Sequence, residues 1–304
     1  MSLDDCNREL MRASALYRAD LWRVGLTAAR LLPRPVLQRI AINLALIYHA
    51  TNKSRREIVT ENLMPPLSFD RAAAKKMCRQ VYRQFGLKLA DLWRYEAGCE
   101  MENLAGPGDQ WERFDACRSR GRGLLLLTPH LGNWEFGAPF LRQRGVSLQV
   151  ITQAEPQASL TDLRQASRAR WGIETLVIGE NPFGFVEVIR RLEQGATVAL
   201  LVDRPPTPST TTIKLFGHRF AASIAPAELA RASGCALLPV CIPRVKKGYG
   251  VEVFPEIHYD RAALGNREAR ANLTQEIMKQ FEPIIRRHLD QWFHFVPLWK
   301  GEKP

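Results

Sequence analysis

The stretch GLLLLTPHLGNWEFG, residues 123–137, joins an apolar run to a histidine, His130, and five positions later to a glutamate, Glu135. Four consecutive leucines that end at a Thr-Pro turn are typical of a strand buried on both faces, as in a parallel sheet. Ligands of open α/β sheets bind just beyond the carboxyl ends of such strands. The stretch therefore predicts an α/β fold with a functional site directly after this strand.

The sequence on the two sides of this strand differs in the spacing of its apolar residues. Over residues 1–100 the spacing is helical, and the helix start signals include Pro35 in a first turn and Asp70 as an N-cap. Over residues 101–304, short apolar runs alternate with helical stretches, and residues 270–290 form a closing amphipathic helix. The runs are GLLLLTPH, VSLQVIT, ETLVIG, ATVALLVD, ALLPVCIPRV and YGVEVFPEI. We expect an N-terminal basic helical region, then an α/β core with a mainly parallel mixed sheet flanked by helices.

The composition is that of an ordinary globular protein, with 304 residues of which 46% are hydrophobic. The six cysteines include no C-x-x-C pair and no cluster at zinc spacing, so we expect reduced thiols without a disulfide framework or a structural metal. The longest apolar candidate for a membrane span, residues 40–50, is shorter than the ~18 residues required. With Asp4 and Asp5 where a signal peptide would be basic, we expect a soluble or peripherally attached cytoplasmic protein.

The net charge of +12 is concentrated near the start of the chain. Between Arg8 and Arg56 there are ten basic residues and two acidic ones, so this region carries most of the excess. Residues 8–30, placed on a helix, separate an apolar face from an arginine face. The apolar face consists of Leu10, Tyr17, Leu21, Val24 and Ala28, and the arginines opposite are Arg8, Arg12, Arg23 and Arg30.

Such a helix has three interpretations. It can lie in an anionic membrane interface, or it can pack on its own domain with a solvated basic face. Nucleic-acid binding is the third, but the chain has no recognition-helix, zinc-finger, RNP-like or KH-like pattern. Its aromatic residues are also not interleaved with basic ones as a stacking platform requires. We therefore expect an anionic membrane surface rather than nucleic acid as the partner.

The spacing of His130 and Glu135 constrains how they can meet. Residues five apart on one helix point in different directions, so His130 must lie in the turn before the helix, with Gly132 and Asn133 permitting that turn. A carboxylate bonded to one ring nitrogen leaves the other nitrogen free to take a proton. No serine or cysteine nucleophile is obvious beside them, so a substrate hydroxyl would be activated. The alternative is a surface histidine capped by a neighbouring glutamate.

The segment TPHLGNWE resembles the H-x4-D/E motif of the glycerolipid acyltransferase superfamily, and more specifically the lipid A biosynthesis (lauroyl/myristoyl) late acyltransferase family. Further segments resemble that family in the same order along the chain, from about residue 10 to the end. They are REIVTENL at 56–63, SRARWG around Arg168, VALLVDRPP at 198–206, IKLFGHRFAASIAPAELARASGCALLPV at 213–240 and RRHLDQWFHFVPLW at 286–299. The shared order makes the resemblance specific.

The resemblance implies transfer of a fatty acyl group from acyl carrier protein or acyl-CoA to a hydroxyl of a membrane glycolipid, namely a lipid A precursor. It implies a peripheral or monotopic enzyme at the cytoplasmic face of the bacterial inner membrane, with no metal and no tightly bound cofactor. The alternatives are another acceptor lipid, a hydrolase or thioesterase that activates water, and a non-catalytic membrane- or nucleic-acid-binding protein.

The resemblance also implies roles for individual residues. His130 would be the catalytic base and Glu135 would orient it, while Arg168 would bind the polar or phosphate part of the substrate. Five more residues would line or close the substrate site, although a buried ion pair or a turn glycine would explain them as well. They are Asp203, Arg204 beside it, and Lys214, Phe216 and Gly217 around the donor or acceptor pocket. The chain departs from the family pattern at Gln153, His294, Val296 and in having Glu135 rather than aspartate, which concerns the acceptor more than the chemistry.

Overall fold

The computed structural model describes residues 18–99, 105–153, 158–178, 184–204, 210–246 and 248–299. In its first part the chain is helical, as the apolar spacing predicts. The helices are α1 (Ala19–Leu31), α2 (Arg34–Thr51), α3 (Lys53–Asn62) and α4 (Arg71–Glu96). Asp70 caps α4 as expected, because its carboxylate accepts a hydrogen bond of 2.9 Å from the backbone nitrogen of Ala73.

A seven-stranded mixed sheet forms the centre of the rest of the described chain. Its strands are β1 (Ala105–Asp109), β2 (Leu124–Thr128), β3 (Leu148–Gln153), β4 (Glu174–Ile178), β5 (Thr197–Leu201), β8 (Ala236–Cys241) and β9 (Tyr249–Val253). The order across the sheet is β1-β9-β8-β2-β5-β3-β4, and every neighbouring pair is parallel except β8 with β9. The predicted α/β class and mainly parallel mixed sheet are therefore confirmed.

Helices flank both faces of this sheet, and a separate hairpin packs beside it. The helices are α5 (Trp111–Arg118), α6 (Gly137–Gln143), α7 (Ala158–Arg170), α8 (Gly184–Glu193), α9 (Ala225–Ser233) and α10 (Arg267–Arg287). The hairpin consists of β6 (Thr210–Leu215) and β7 (His218–Ser223), paired antiparallel and packed on α10. The closing helix predicted over residues 270–290 is thus α10.

The leucine run forms β2, which lies at the middle of the sheet and is buried along its whole length. Leu125 and Leu127 belong to the core cluster shared with α8, α9 and α10, whereas Leu124 and Leu126 belong to the cluster on the opposite face. Alternate side chains of a strand point to opposite faces. Leucine at every position therefore reflects burial on both sides.

The register between β2 and β5 determines where the segments that follow these two strands leave the sheet. The strands are parallel, with Thr128 opposite Leu201. The second residue after each strand, His130 and Asp203, therefore emerges at the same edge and at the same level. This long-range pairing creates the site described below.

The helices of the first hundred residues share a core with the sheet. The same cluster that contains Leu125 also contains Val59 from α3 and Tyr82 from α4. A domain boundary near residue 100 stays a prediction. No helix in the described ranges combines the length and the hydropathy needed to cross a bilayer. The five cysteines in these ranges, Cys78, Cys99, Cys117, Cys235 and Cys241, are free thiols.

Candidate active site

His130 lies in a tight turn directly after β2. Gly132 adopts a φ of +65°, and a Cβ atom there would overlap the carbonyl oxygen of Ile242 at the end of β8, so only glycine fits. The Gly132 nitrogen donates to the Gln291 carbonyl at 3.0 Å, and the Asn133 nitrogen donates to the Ile242 carbonyl at 2.9 Å. The turn that carries His130 is therefore fixed between β8 and the C-terminal segment.

Asp203 lies two residues after β5, is fully buried, and accepts hydrogen bonds at both carboxylate oxygens. The backbone nitrogen of His130 donates to both carboxylate oxygens at 3.0 and 2.9 Å, and His130 Nδ1 lies 2.6 Å from Oδ1. Trp292 Nε1 and His294 Nε2 lie 2.9 and 2.8 Å from Oδ2. The structure thus brings together His130 and Asp203, two of the residues predicted for the site.

These contacts determine the protonation states. Burial alone would raise the pKa of Asp203, but His294 and His130 hold it well below its ordinary value, so the carboxylate is ionised. An ionised carboxylate only accepts hydrogen bonds, so His130 Nδ1 carries a proton. Burial lowers the pKa of His130 from 6.5 to about 4, against the opposing effect of Asp203. At neutral pH the ring is uncharged, and its Nε2 lone pair is free to accept a proton.

The expected hydrogen bond between His130 and Glu135 is not formed, which corrects that part of the sequence interpretation. The Glu135 carboxylate instead accepts from Arg164 Nη2 at 2.5 Å and from Arg168 Nε and Nη2 at 3.1 and 2.7 Å. Residues 134–136 form a single 3-10 turn, and Asn133 makes no side-chain cap. Two arginines one turn apart on α7 therefore hold Glu135 while Asp203 takes the bond to His130.

Glu135 is the centre of a buried charge cluster beside the histidine. Burial would raise the pKa of Glu135, but the charges of Arg168 and Arg164 hold it far below its ordinary value. The amine of Lys88 on α4 lies 2.9 Å above the ring centroid of Trp134, whose ring meets that of His130 edge-on at 5.1 Å. Burial lowers the pKa of this lysine well below its ordinary value. The cluster thus reaches His130 through Trp134.

Arg168 and Arg204 differ in exposure and therefore in how readily a substrate can reach them. The side chain of Arg168 is 10% exposed and is held by Glu135 in a buried ion pair. Arg204 is exposed and follows directly after Asp203. Burial is the main reason why the pKa of His130 is low, and the charges of His294 and Arg204 act in the same direction. Arg204 is therefore exposed, and its positive charge acts on His130.

Lys214, Phe216 and Gly217 belong to the hairpin. The Lys214 backbone pairs with the Gln275 side chain, and the lysine side chain is exposed. Phe216 and Gly217 form the turn of the hairpin, both with positive φ, at 52° and 84°. The structure gives Gly217 the turn role, whereas Phe216 packs edge-on against Trp292 at 5.9 Å. The hairpin thus supports the site through Trp292.

A cavity of about 60 Å³ lies at the same edge of the sheet. Thr128, Trp134, Glu135 and Arg168 form part of its wall, and the remainder is mostly apolar side chains of β3 and β5 and their surroundings. Its position beside Trp134 places apolar space one aromatic ring away from His130.

The convergence of His130, Asp203 and His294 raises the question of a metal. Within the described ranges they form a group whose ligand atoms lie within 4.8 Å of one another. The two N···O distances of 2.6 and 2.8 Å are direct hydrogen bonds. Neighbouring ligands of a tetrahedral zinc are separated by about 3.3 Å. The arrangement therefore fits a hydrogen-bonded triad better than a set of metal ligands.

Sequence reasoning missed four residues of this site. Arg164 was detectable, because it precedes Arg168 by one helical turn and so shares its face. Trp292 and His294 lie in a segment that the family resemblance already singled out, but their contact with Asp203 depends on tertiary packing. Lys88 has no local signal, since it lies in a helix rich in basic residues.

A second surface feature lies on the N-terminal helices. Of the nine large hydrophobic residues that are exposed in the described ranges, seven lie on α1 and α2 and form what we call the apolar stripe. Its members are Leu21, Val24, Leu31, Val36, Ile40, Leu44 and Ile47. Arg23, Arg30 and Arg39 are exposed nearby, and α2 has no acidic residue. The opposite side of α1 packs inward through Trp22 and Leu26.

The predicted membrane helix over residues 8–30 can be compared only in part. Leu21 and Val24 are exposed, as a membrane face requires, and Ala28 is half-buried. Leu10, Tyr17, Arg8 and Arg12 lie outside the described residues. The helix therefore has both a packed face and an open apolar one.

Comparison with known proteins gives three kinds of similarity. The profile of the family described as "Bacterial lipid A biosynthesis acyltransferase" matches residues 10–301. A phosphatidylinositol mannoside acyltransferase of Mycobacterium tuberculosis is 28% identical over 193 residues, which is 63% of this chain and 59% of the relative. The corresponding protein of Mycolicibacterium smegmatis is 29% identical over 191 residues, 62% of this chain and 59% of the relative. The alignment thus spans less than two thirds of these relatives.

A solved structure, the 1-acyl-sn-glycerophosphate (LPA) acyltransferase PlsC from Thermotoga maritima, aligns with a TM-score of 0.41 at 12% identity. The alignment covers 84% of this chain and 98% of that chain. Similarity at this level is too low to support a functional argument.

Proposed function

This chain belongs to the bacterial lipid A biosynthesis acyltransferase family, and we propose that it transfers a fatty acyl group from an acyl thioester to a hydroxyl of a membrane glycolipid. The observation that carries the proposal is the bond of 2.6 Å between His130 Nδ1 and Asp203 Oδ1 at the exit of the central strand. It leaves Nε2 as a proton acceptor, one aromatic ring away from an apolar cavity. That is what activation of a hydroxyl next to an acyl chain requires.

His130 acts as the general base. Its Nε2 removes the proton of the acceptor hydroxyl while the hydroxyl oxygen attacks the thioester carbonyl carbon, which forms the new C–O bond and an oxyanion. Collapse of this intermediate breaks the C–S bond, and the imidazolium returns the proton to the leaving thiolate. The products are an ester and a free thiol, and the base is regenerated.

Asp203 takes the orienting role that the sequence interpretation gave to Glu135. It fixes the Nδ1–H tautomer of His130 and stabilises the imidazolium that forms during the reaction. Glu135 instead neutralises Arg164 and Arg168 and so positions the wall of the cavity that contains Arg168. We assign Glu135 a positioning role.

Arg204 is the residue we propose for contact with the polar end of the substrate. It is exposed, it follows Asp203, and its charge reaches His130. A guanidinium binds phosphate through two parallel hydrogen bonds. Arg168 contributes less to this contact, because Glu135 already accepts from its fork.

We propose acyl carrier protein or acyl-CoA as the donor and a membrane glycolipid as the acceptor. Both donors carry the acyl group as a thioester and are negatively charged, which suits a chain with a net charge of +12. The family description names lipid A, whereas the curated relatives are named for phosphatidylinositol mannoside. Both are glycolipids, and the two are compared in the experiment below.

The acceptor lies in a bilayer, so the enzyme must work at a membrane surface. We propose peripheral attachment at the cytoplasmic face of the bacterial inner membrane through the apolar stripe of α1 and α2. Val36, Ile40, Leu44 and Ile47 share one face of α2, and neighbouring arginines match anionic headgroups. The proposal therefore places α2, as well as the helix expected from sequence, at the lipid interface.

The test is acyl transfer by the purified protein on anionic vesicles, followed by mass spectrometry of the lipids. Acyl carrier protein and CoA thioesters of several chain lengths are offered with a lipid A precursor or a phosphatidylinositol mannoside as acceptor. We expect one acceptor to gain one acyl chain, and His130→Ala to lose this activity. His258→Ala is the matched control, since His258 is an exposed histidine outside the site. Thiol release without an acylated lipid would instead identify a thioesterase.

A further inference from the structure

Asp203 is shared by two histidines, and the proposed mechanism uses only one of them. His294 is 2% exposed, and its Nε2 lies 2.8 Å from Asp203 Oδ2. His130 bonds the other oxygen, and the centroids of the two imidazole rings are 5.2 Å apart. Because the ionised carboxylate only accepts, both rings donate to it. His294 Nδ1 is buried and has no hydrogen-bond partner among the described residues.

The position of His294 is imposed by contacts outside the site. Asn62, at the end of α3, donates from Nδ2 to the carbonyl oxygens of His294 at 3.0 Å and Val296 at 2.7 Å. Its Oδ1 accepts from the Leu298 nitrogen at 3.0 Å. The N-terminal helical region therefore holds the segment that presents the His294 ring to Asp203.

We propose that His294 is a positioning residue for the general base, which donates to Asp203 and so limits how strongly this carboxylate holds a proton on His130. The inference rests on the proposed function only in that His130 acts as a base. It adds a residue that acts through Asp203, without contact with the substrate.

The direction of the effect follows from charge. Asp203 accepts from Trp292 and His294 at Oδ2, and each donor neutralises part of the carboxylate charge. Without the His294 donor, the carboxylate attracts an imidazolium more strongly, and the pKa of His130 rises. His130 would then be protonated over a wider pH range, and less of the protein would carry the free base.

Other charged and titratable groups near the two rings do not replace this donor. By element they are Lys88 on α4, Glu135 after β2, Arg204 after β5 and Cys241 on β8. Burial, with smaller effects of Glu252 and Asp203, raises the pKa of the Cys241 thiol well above its ordinary value, so it is neutral. The Lys88 amine packs over the Trp134 ring, and the Glu135 carboxylate accepts from arginines. Trp292 is the other side chain besides His130 and His294 that donates to Asp203 within the described ranges.

The experiment compares three variants by NMR titration of the His130 imidazole and by the pH dependence of kcat/KM. His294→Phe removes the donor, whereas His294→Gln keeps an N–H that reaches Asp203. Trp292→Phe removes the neighbouring donor without removing a titrating ring. Phe281→Leu is the packing control, because Phe281 is fully buried in the core cluster that contains Trp292 and has no hydrogen-bond donor for Asp203.

We expect His294→Phe to raise the proton affinity of His130 by about tenfold, which moves its titration and the acid limb of kcat/KM upward by about one pH unit. Trp292→Phe should move both in the same direction, whereas His294→Gln and Phe281→Leu should leave them in place. An unchanged His130 titration in His294→Phe would overturn the inference. So would an equal shift in His294→Gln, since donation would then not be the cause.

The design keeps this inference separate from the proposed function. The NMR titration needs no substrate, so it reports on His294 even if the wild-type protein transfers no acyl group. If His294→Phe fails to fold, Trp292→Phe decides, and the absence of an upward shift there counts against the inference. A lower kcat with an unmoved acid limb would indicate a structural role only.

Discussion

Replacing Asp203 by asparagine separates the two carboxylates that could orient His130. Asparagine preserves the shape of the side chain but has one acceptor oxygen, where the carboxylate receives donors at both oxygens from His130, Trp292 and His294. If the amide oxygen faces Trp292 and His294, the amide nitrogen faces His130 Nδ1. The amide nitrogen only donates, so His130 Nδ1 must then accept, and the ring proton moves to Nε2, where it blocks the base.

The expected loss is large. Exchange of the orienting carboxylate for an amide in a Ser-His-Asp triad lowers kcat by about 10⁴, and loss of a positioned base costs ~10² to 10⁴. We therefore expect Asp203→Asn to lower kcat by about 10³- to 10⁴-fold. A buried donor left without its acceptor adds about 1–3 kcal/mol of destabilisation.

Glu135→Gln is the matched comparison, because Glu135 is the other buried carboxylate of the site. It removes the carboxylate charge that Arg164 and Arg168 share, although Glu96 remains 3.9 Å from Arg164, and breaking a buried ion pair costs about 3–5 kcal/mol. We expect Glu135→Gln to lower Tm and to reduce kcat less than Asp203→Asn does. Glu135→Ala should lower both quantities further than Glu135→Gln, because the amide keeps one acceptor oxygen for the arginines. The assay is acyl transfer at saturating donor, with Tm from thermal unfolding. Asp203→Asn turnover within tenfold of wild type, or an equally inactive Glu135→Gln with unchanged Tm, would refute the assignment of Asp203 as the orienting group.

Three further outcomes follow from the site and its surroundings. Because burial lowers the pKa of His130 from 6.5 to about 4, the base stays unprotonated to low pH, and the acid limb of kcat/KM should lie near pH 4. The contribution of this ring to the free energy of unfolding should be complete above pH 6.5 and lost as the pH falls towards 4, which chemical unfolding measures. Arg204→Lys should raise KM for a phosphorylated acceptor more than for its dephosphorylated form, because lysine cannot make the paired hydrogen bonds of a guanidinium to phosphate. Arg168→Lys should lower Tm and change KM for both acceptors alike. Equal behaviour of the two variants would contradict these roles. Leu44→Glu together with Ile47→Glu should release the protein from anionic vesicles in co-sedimentation, whereas Val186→Glu, at an equally exposed residue on α8, should not. Raising the salt from 0.1 to 1 M should also release it, because the Debye length falls from about 10 to 3 Å. Binding unaffected by the stripe substitutions would exclude the stripe as the attachment surface.

The strands that the sequence predicts are those whose apolar runs are long enough to be buried on both faces. Two elements lack that signal. The β1 sequence AGPGD contains residues that are depleted in strands, and it is tolerated because β1 lies at the edge of the sheet. The hairpin β6–β7 is rich in threonine and partly exposed, and Phe216 in its turn adopts a positive φ that favours glycine or asparagine.

The site was predictable to a similar extent. His130 follows the leucine run, and its place at the carboxyl end of β2 is a local consequence of the strand. Its partner is not local. Glu135 is nearer in sequence, but Asp203 arrives beside His130 only through the register that sets Thr128 opposite Leu201. The pair Arg164 and Arg168 could have been recognised as a clamp from helical spacing alone, and it explains why Glu135 is unavailable.

The most direct test of the central claim, that His130 is the base for acyl transfer, is chemical rescue of His130→Ala by imidazole. Loss of the ring removes the base and opens space in a position that is 15% exposed, so free imidazole can enter. We predict a fall in transfer of about 10² to 10⁴ with the fold intact, and recovery that follows the unprotonated fraction of the added imidazole as the pH is varied. Turnover close to that of the wild type in His130→Ala without imidazole would contradict the account.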